Sequence, residues 1–183
     1  KKNKNTTKIS KKQILKEHII FPGKKIVTVS HCILNQNAVV NGWERARGAY
    51  PIAGYIMEKG IGIIQLPCPE LLCMGLDRAS MSYEDYDRIK GYREKCITFL
   101  EPVIQQLKIY KDNNYTYLGV IGINESPNCS VSGKRGIFME LYFEACKKLE
   151  LTDNFMEIPT DYDEFNVGDL EAEFDKFLKG ENI

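Results

Sequence analysis

An α/β fold, with a mostly parallel sheet and helices on both faces, follows from three observations in the sequence. Four short β-branched runs recur along the chain, and between them lie stretches whose apolar residues fall at three- and four-residue steps. Strands that alternate with helices assemble into a mostly parallel sheet covered on both sides. The chain's 183 residues, 43% of them hydrophobic, suit one core, so a single domain is expected over 21–183.

The first strand is read at Lys25 to Ser30, entered through the Pro22-Gly23 turn. "GIGIIQLP" (60–67), "YTYLGVIGIN" (115–124) and "FMEIPT" (155–160) give the second, third and fourth. A helix is predicted over 43–59, where Ala46, Ala49, Tyr50, Ala53 and Ile56 form one apolar stripe. A second runs from Tyr83 to Leu107 through Ile89, Tyr92, Cys96, Phe99 and Val103, with a kink expected at Pro102. Helices over 136–149 and 167–178 complete the set.

The formal net charge is zero, so no overall basic field points to nucleic acid. The charge is uneven, however. Residues 1–17 hold seven lysines and one glutamate, which leaves about −6 on the remainder of the 25 basic and 25 acidic residues. The basic segment 1–20, opening "KKNKNTTKISKK", has little to bury and is expected to be mobile. No run approaches the ~18 apolar residues of a membrane span, and no signal-peptide core is present, so a soluble cytoplasmic protein is expected. In that setting the six cysteines are read as reduced thiols that serve as fillers, nucleophiles or metal ligands.

Position separates them. Cys32 follows the first predicted strand, Cys68 the second and Cys129 the third, so parallel strands bring all three to one edge of the sheet. In open parallel sheets that carboxyl edge is where ligands bind. Cys96 and Cys146 fall on apolar helix faces, where cysteine acts as a small hydrophobe. Cys73, in "LLCMGL", reads as a packed turn residue or as a fourth ligand.

Several readings of the three edge cysteines are open. They are unrelated buried thiols, or ligands of a structural zinc completed by His31. They include a nucleophile with His31 or His18 as base. Or they hold an iron–sulfur cluster with an incomplete shell. A four-iron cluster normally takes four thiolates; with three, one iron stays open and acts as a Lewis acid. Glu70, two residues after Cys68, and Ser126, three before Cys129, would supply a base for water and a donor for developing charge. Pro67, Pro69 and Pro127 stiffen the two loops. A non-catalytic metal- or anion-binding α/β module is the alternative: "SPNCSVSGKRG" sets Lys134 and Arg135 before a helix amino terminus, which attracts anions.

The ordered motifs "SHCILN … NG", "LPCPE" and "ESPNCSV" resemble those of the TudS-type desulfidases, whose thiouracil desulfidase members carry "SACLLG … RYDG", "VCPE" and "SPSCG". The chain is most similar to a TudS-related desulfidase subgroup with "HC-x-LNQN" and "LPCPE-LL-x-MGL" motifs, over residues 29 to about 133. The resemblance implies a Rossmann-like domain, a [4Fe-4S] cluster held by Cys32, Cys68 and Cys129, and sulfur removal from a small thionated, nucleobase-like molecule. It also implies catalytic roles for Glu70 and Ser126. Two positions depart from the pattern. Asn41 stands where the family has the aspartate of "RYDG" and cannot act as a base, and His31 replaces a small residue beside the first cysteine. Both are candidate substrate contacts, as are Arg45, Arg47 and Tyr50, and the substrate is expected to differ from thiouracil.

Overall fold

The computed structural model describes residues 22–166 and 168–180. The basic amino-terminal segment and His18 lie outside the described residues. Strand β1 (Lys25–Val29) is KIVTV, with every residue after the first buried, as a strand covered on both faces requires. It pairs in parallel with β2 (Gly62–Gln65) from Ile26↔Gly62 to Val29↔Gln65. On its other side it pairs in parallel with β3 (Thr116–Ile123), from Lys25↔Thr116 to Val29↔Ile121, with one register shift between Ile26 and Thr28. Strand β4 (Phe155–Ile158) adds to β3 in the same sense, which gives the order β2-β1-β3-β4.

Alternation along β1 divides the core in two. Ile26, Ile64 and Val120 meet Leu100, Val103, Phe138 and Tyr142, from helices α5 (Tyr92–Asp112) and α6 (Ile137–Lys148). Val27, Val29, Ile121 and Ile123 meet Ile52, Ile56, Leu170 and Phe174, from α2 (Ile52–Glu58) and α7 (Leu170–Leu178). Thr28 is the polar exception among the buried residues of β1. Its hydroxyl lies 3.0 Å from the Tyr117 hydroxyl and 2.9 Å from that of Tyr142, so the buried oxygens satisfy one another.

Short helices fill the crossovers: α1 (His31–Leu34), α3 (Pro69–Met74) and α4 (Tyr83–Asp87). Two expectations are corrected here. The helix predicted over 43–59 starts only at Ile52. Pro51 disfavours helical backbone in Tyr50 before it, and the preceding chain bonds elsewhere: the Tyr50 amide to the Ile33 carbonyl, the Arg45 amide to Gln36 Oε1. The helix predicted over 83–107 is two helices, divided where Gly91 takes φ +78°, and α5 continues through Pro102 to Asp112. Among the described residues no helix is long and apolar enough to cross a membrane.

The loop between β3 and α6 folds back onto the sheet, and two glycines permit it. A Cβ on Gly122 would lie 2.6 Å from the Cys129 carbonyl oxygen, and one on Gly136 would lie 2.4 Å from the Asn128 carbonyl carbon. Gly122→Ala is therefore expected to destabilise by about 1–3 kcal/mol, the usual cost of overpacking. Gly54→Ala, in α2 with open space around it, should stabilise by about 0.4–1 kcal/mol. Urea unfolding of the two variants beside the parent measures both; equal effects would mean that the loop yields without cost.

Candidate active site

Sheet order decides where a site can form. From β1 the chain crosses to one side, toward β2, and from β3 to the other, toward β4, so a crevice opens where the carboxyl ends of β1 and β3 diverge. The ladder runs slightly past the strands: the Ser30 amide donates to the Ile121 carbonyl at 2.9 Å, and the Leu66 amide to the Val29 carbonyl at 2.8 Å. The turns carrying Cys32 and Cys68 thus leave the sheet from fixed positions.

Each of the three cysteines is held by its own turn. Cys32 lies in α1, and its carbonyl accepts from Gln36 Nε2 at 2.8 Å. Cys68 caps α3: its sulfur accepts the Leu71 amide at 3.4 Å, and Pro69 begins the helix, where a missing N–H costs nothing. The Cys129 amide donates to Ser126 Oγ at 3.0 Å, and its carbonyl accepts from the Ile123 amide at 3.0 Å. All three thiols, with Glu70, Ser126 and His31, line one cavity of about 770 Å³.

The thiols open onto the cavity but sit in dense protein, and burial dominates their ionisation. It pushes Cys32 up to about 12, with the charges of Cys68 and Glu70 adding to the effect and Arg45 opposing it. Cys129 rises well above its ordinary value through burial, then through Cys32 and Cys68; Cys68 rises through burial, against the Leu71 amide. Each thiol therefore resists ionisation of the others, and a bound cationic centre is what would deprotonate them together. Ser30 Oγ is buried with no hydrogen bond in ordinary geometry, yet it lies where it favours a charged Cys129 sulfur. This donor set fits a thiolate-bound group. Among the described residues no three His, Cys, Asp or Glu side chains converge as on a single ion.

Glu70 is gripped on both oxygens. Arg78 Nε donates to Oε2 at 3.3 Å, and Asn128 Nδ2 donates to Oε1 at 3.0 Å. Asn128 is fully buried and accepts from the Tyr92 hydroxyl at 3.0 Å. Arg78, itself buried, also donates to the carbonyls of Gly75 at 2.9 Å and Ala38 at 2.6 Å, tying three segments to the carboxylate. The Tyr86 hydroxyl is buried with no hydrogen bond in ordinary geometry, yet it lies close enough to Glu70 and Arg78 to interact with both. Arg78 and Tyr86 carry no signal in the sequence. Asn128 stands inside a motif that directs attention to its cysteine.

The other expected residues divide. His31 Nδ1 lies 3.2 Å from the Leu66 carbonyl; because a carbonyl only accepts, Nδ1 is the donor and Nε2 is left for a ligand. Arg45 and Tyr50 line the cavity, whereas Arg47 pairs outward with Glu164 at 2.9 Å, and none of the three belongs to a helix. Asn41 is exposed in a turn between the wall residues Val40 and Trp43 and is not itself in the wall. Cys96 and Cys146 are buried in the core on α5 and α6, Cys73 on α3 packs half-buried against that core, and none of the three lines the cavity. At the α6 amino terminus the amides of Ile137 and Met139 already donate to the carbonyls of Pro127 and Asn128. Lys134 is paired with Glu84, and Arg135 stacks on Phe143 at 4.1 Å, so most of the apparatus for holding an anion is engaged within the protein.

Glu157, at the end of β4, fastens the loop that carries Cys129. It accepts from the Ser130 hydroxyl at 3.2 Å, the Val131 amide at 2.5 Å and Asn124 Nδ2 at 3.2 Å, and from the Ser132 hydroxyl. Burial would raise its pKa, but the bonds from Ser132, Val131 and Asn124 prevail and hold it below the usual 4.5. A lowered carboxylate stabilises fully above its unfolded value and loses that contribution as pH falls through the folded one. Glu157→Gln is expected to be less stable than the parent at pH 7, with the gap closing below about pH 4.5. Unfolding midpoints recorded across that range test it; a gap that persists unchanged in acid would sink the assignment.

The chain is 46% identical over 145 residues to the uncharacterized protein MJ0003 of Methanocaldococcus jannaschii, an alignment that takes in 79% of this chain and 92% of that protein. No family model and no solved structure matches.

Proposed function

For this chain, which belongs to the same family as the archaeal protein MJ0003, we propose hydrolytic, non-redox desulfidation of a small thiocarbonyl compound. The observation that carries the reading is that Cys32, Cys68 and Cys129, remote in sequence, line one cavity together with Glu70 and Ser126. The resemblance of the three motifs to TudS-type desulfidases supplies the chemistry. A thione and water become a carbonyl compound and hydrogen sulfide, with no net electron transfer.

The three thiols would hold a [4Fe-4S] cluster, which when bound supplies a Lewis-acidic iron with one open position for sulfur. The chain's own groups do the rest. Glu70 accepts a proton from the attacking water, and Arg78 and Asn128 fix its orientation so that little reorganisation is needed. Ser126 Oγ receives the Cys129 amide and keeps its own proton for the substrate. His31 Nε2 contacts the bound molecule from the Cys32 side.

Iron and acid-labile sulfide measured after anaerobic preparation test the cofactor. Cys32→Ala, Cys68→Ala and Cys129→Ala should each abolish the broad visible absorption, whereas Cys96→Ala and Cys146→Ala should keep it. A zinc-only protein, or loss of the chromophore in the second pair but not the first, would overturn the ligand set.

Glu70 is expected to matter for turnover and not for assembly. Glu70→Gln should keep the chromophore and slow sulfide release from thionated pyrimidines by about 10²- to 10⁴-fold, the usual loss for a missing general base. Parental turnover in that variant would remove Glu70 from the mechanism. Cluster-loaded protein that releases sulfide from no thiocarbonyl compound would leave a binding module.

A further inference from the structure

The cavity lining is chemically mixed. Beside the thiols and Glu70 it includes Val39, Val40, Trp43, Met81 and Tyr83, to which desulfidation assigns no role. Four aromatic residues line the cavity as a whole: Trp43, Tyr50, Tyr83 and Tyr86. Three have partners. Arg45 lies 5.5 Å from the Tyr50 ring centre, the Lys134 ammonium lies 3.9 Å from that of Tyr83, and Tyr86 stacks on Tyr92 at 5.2 Å. Among the described residues no ring or cation covers Trp43.

Trp43 is nonetheless 67% exposed, and leaving so large an apolar side chain in water forgoes the stabilisation that burial brings. Its backbone is not loose. The Trp43 amide donates to the Val40 carbonyl at 3.0 Å, and the Gly42 amide between them donates to Glu44 Oε2 at 2.7 Å. Two residues on, the Arg45 amide bonds Gln36 Oε1 at 2.9 Å, and Gln36 Nε2 bonds the Cys32 carbonyl at 2.8 Å. Trp43 therefore lines the cavity from a segment tied to the turn of Cys32, largely exposed and with no ring or cation against it among the described residues.

We infer that Trp43 is the stacking platform for the ring of the bound molecule and sets the preference of this site for flat over puckered rings. That the bound molecule is a thione rests on the desulfidase reading; the stacking itself does not. A base laid on an aromatic side chain typically gains ~1–3 kcal/mol, which converts to about five- to 150-fold in affinity. Ring planarity is what the indole face selects. A saturated ring with the same hydrogen-bonding edge lacks the π-face that stacks and should bind more weakly.

Trp43 is the only tryptophan in the sequence, so its fluorescence reports on this position alone. Titrating the full cluster-loaded chain with uracil, uridine and 5,6-dihydrouracil separates planar from puckered rings, and none of the three absorbs at the emission wavelength. Quenching is expected from the planar pair, with dihydrouracil about tenfold weaker. In turnover of the matching thiones, Trp43→Ala should raise KM about tenfold and leave kcat within twofold, and Trp43→Phe should restore most of the loss. Because the side chain is exposed, the variants should melt as the parent does. Sulfide release with unquenched Trp43 and an unchanged KM in Trp43→Ala would overturn the platform and leave the desulfidase reading intact. Quenching by planar rings without sulfide release from any thione would support the platform while the desulfidase reading fell. Equal quenching by dihydrouracil and uracil would overturn it.

Discussion

Parallel pairing of β1 with both β2 and β3 is the constraint on which the rest of the molecule depends. A parallel ladder gives neighbouring strands one direction, so every strand delivers its following loop to the same edge. Three cysteines separated by tens of residues become neighbours through that shared direction. Antiparallel pairing of any one strand would send its cysteine to the opposite edge. The crossover helices are the other half of the constraint, because parallel strands need long connections, and those connections cover both faces of the sheet. Burial on both faces then explains why KIVTV carries no strongly polar residue beyond Lys25 and a threonine whose hydroxyl is fully engaged.

The edge so formed is electrostatically unusual. Three thiols share a cavity in which burial, and each other's charge, oppose ionisation. Beside them a carboxylate is kept in place by a buried arginine and a buried amide. Buried charges that lose a partner are expensive, so Glu70, Arg78 and Asn128 stand or fall as a unit. Arg78 also bonds two backbone carbonyls, which couples the carboxylate to the segments around residues 38 and 75. Orientation of the proposed base is thereby a property of the tertiary structure, spread over four segments of chain.

Stability and chemistry draw on the same contacts. The loop that carries Cys129 closes because Gly122 and Gly136 have no side chain to hold it off, and because Glu157 gathers its hydroxyl and amide donors. The loop that carries Trp43 is fastened through Gln36 to the turn of Cys32. A ligand that touches both Trp43 and the Cys32 turn meets elements already joined by hydrogen bonds, so binding there need not order a free segment.

The sequence alone determined the β–α alternation, and with it the parallel sheet and the grouping of Cys32, Cys68 and Cys129 against Cys96 and Cys146. Periodicity is local, and strand direction follows from the length of the intervening helical stretches. Local pattern was misleading where long-range bonds outcompeted it: residues 43–51 carry a helical stripe, but Pro51 and the partners offered by Ile33 and Gln36 hold them irregular. Only the tertiary structure decided which polar residues serve the site. Arg78 lies in a short loop with no periodic neighbours, and Asn128 reads as one more polar loop residue, yet they meet Glu70 because the crevice folds distant loops together. Trp43 and Asn41 are two positions apart, and one enters the cavity wall while the other faces solvent. Which way a loop side chain turns depends on contacts from elsewhere in the chain, and no local pattern encodes those.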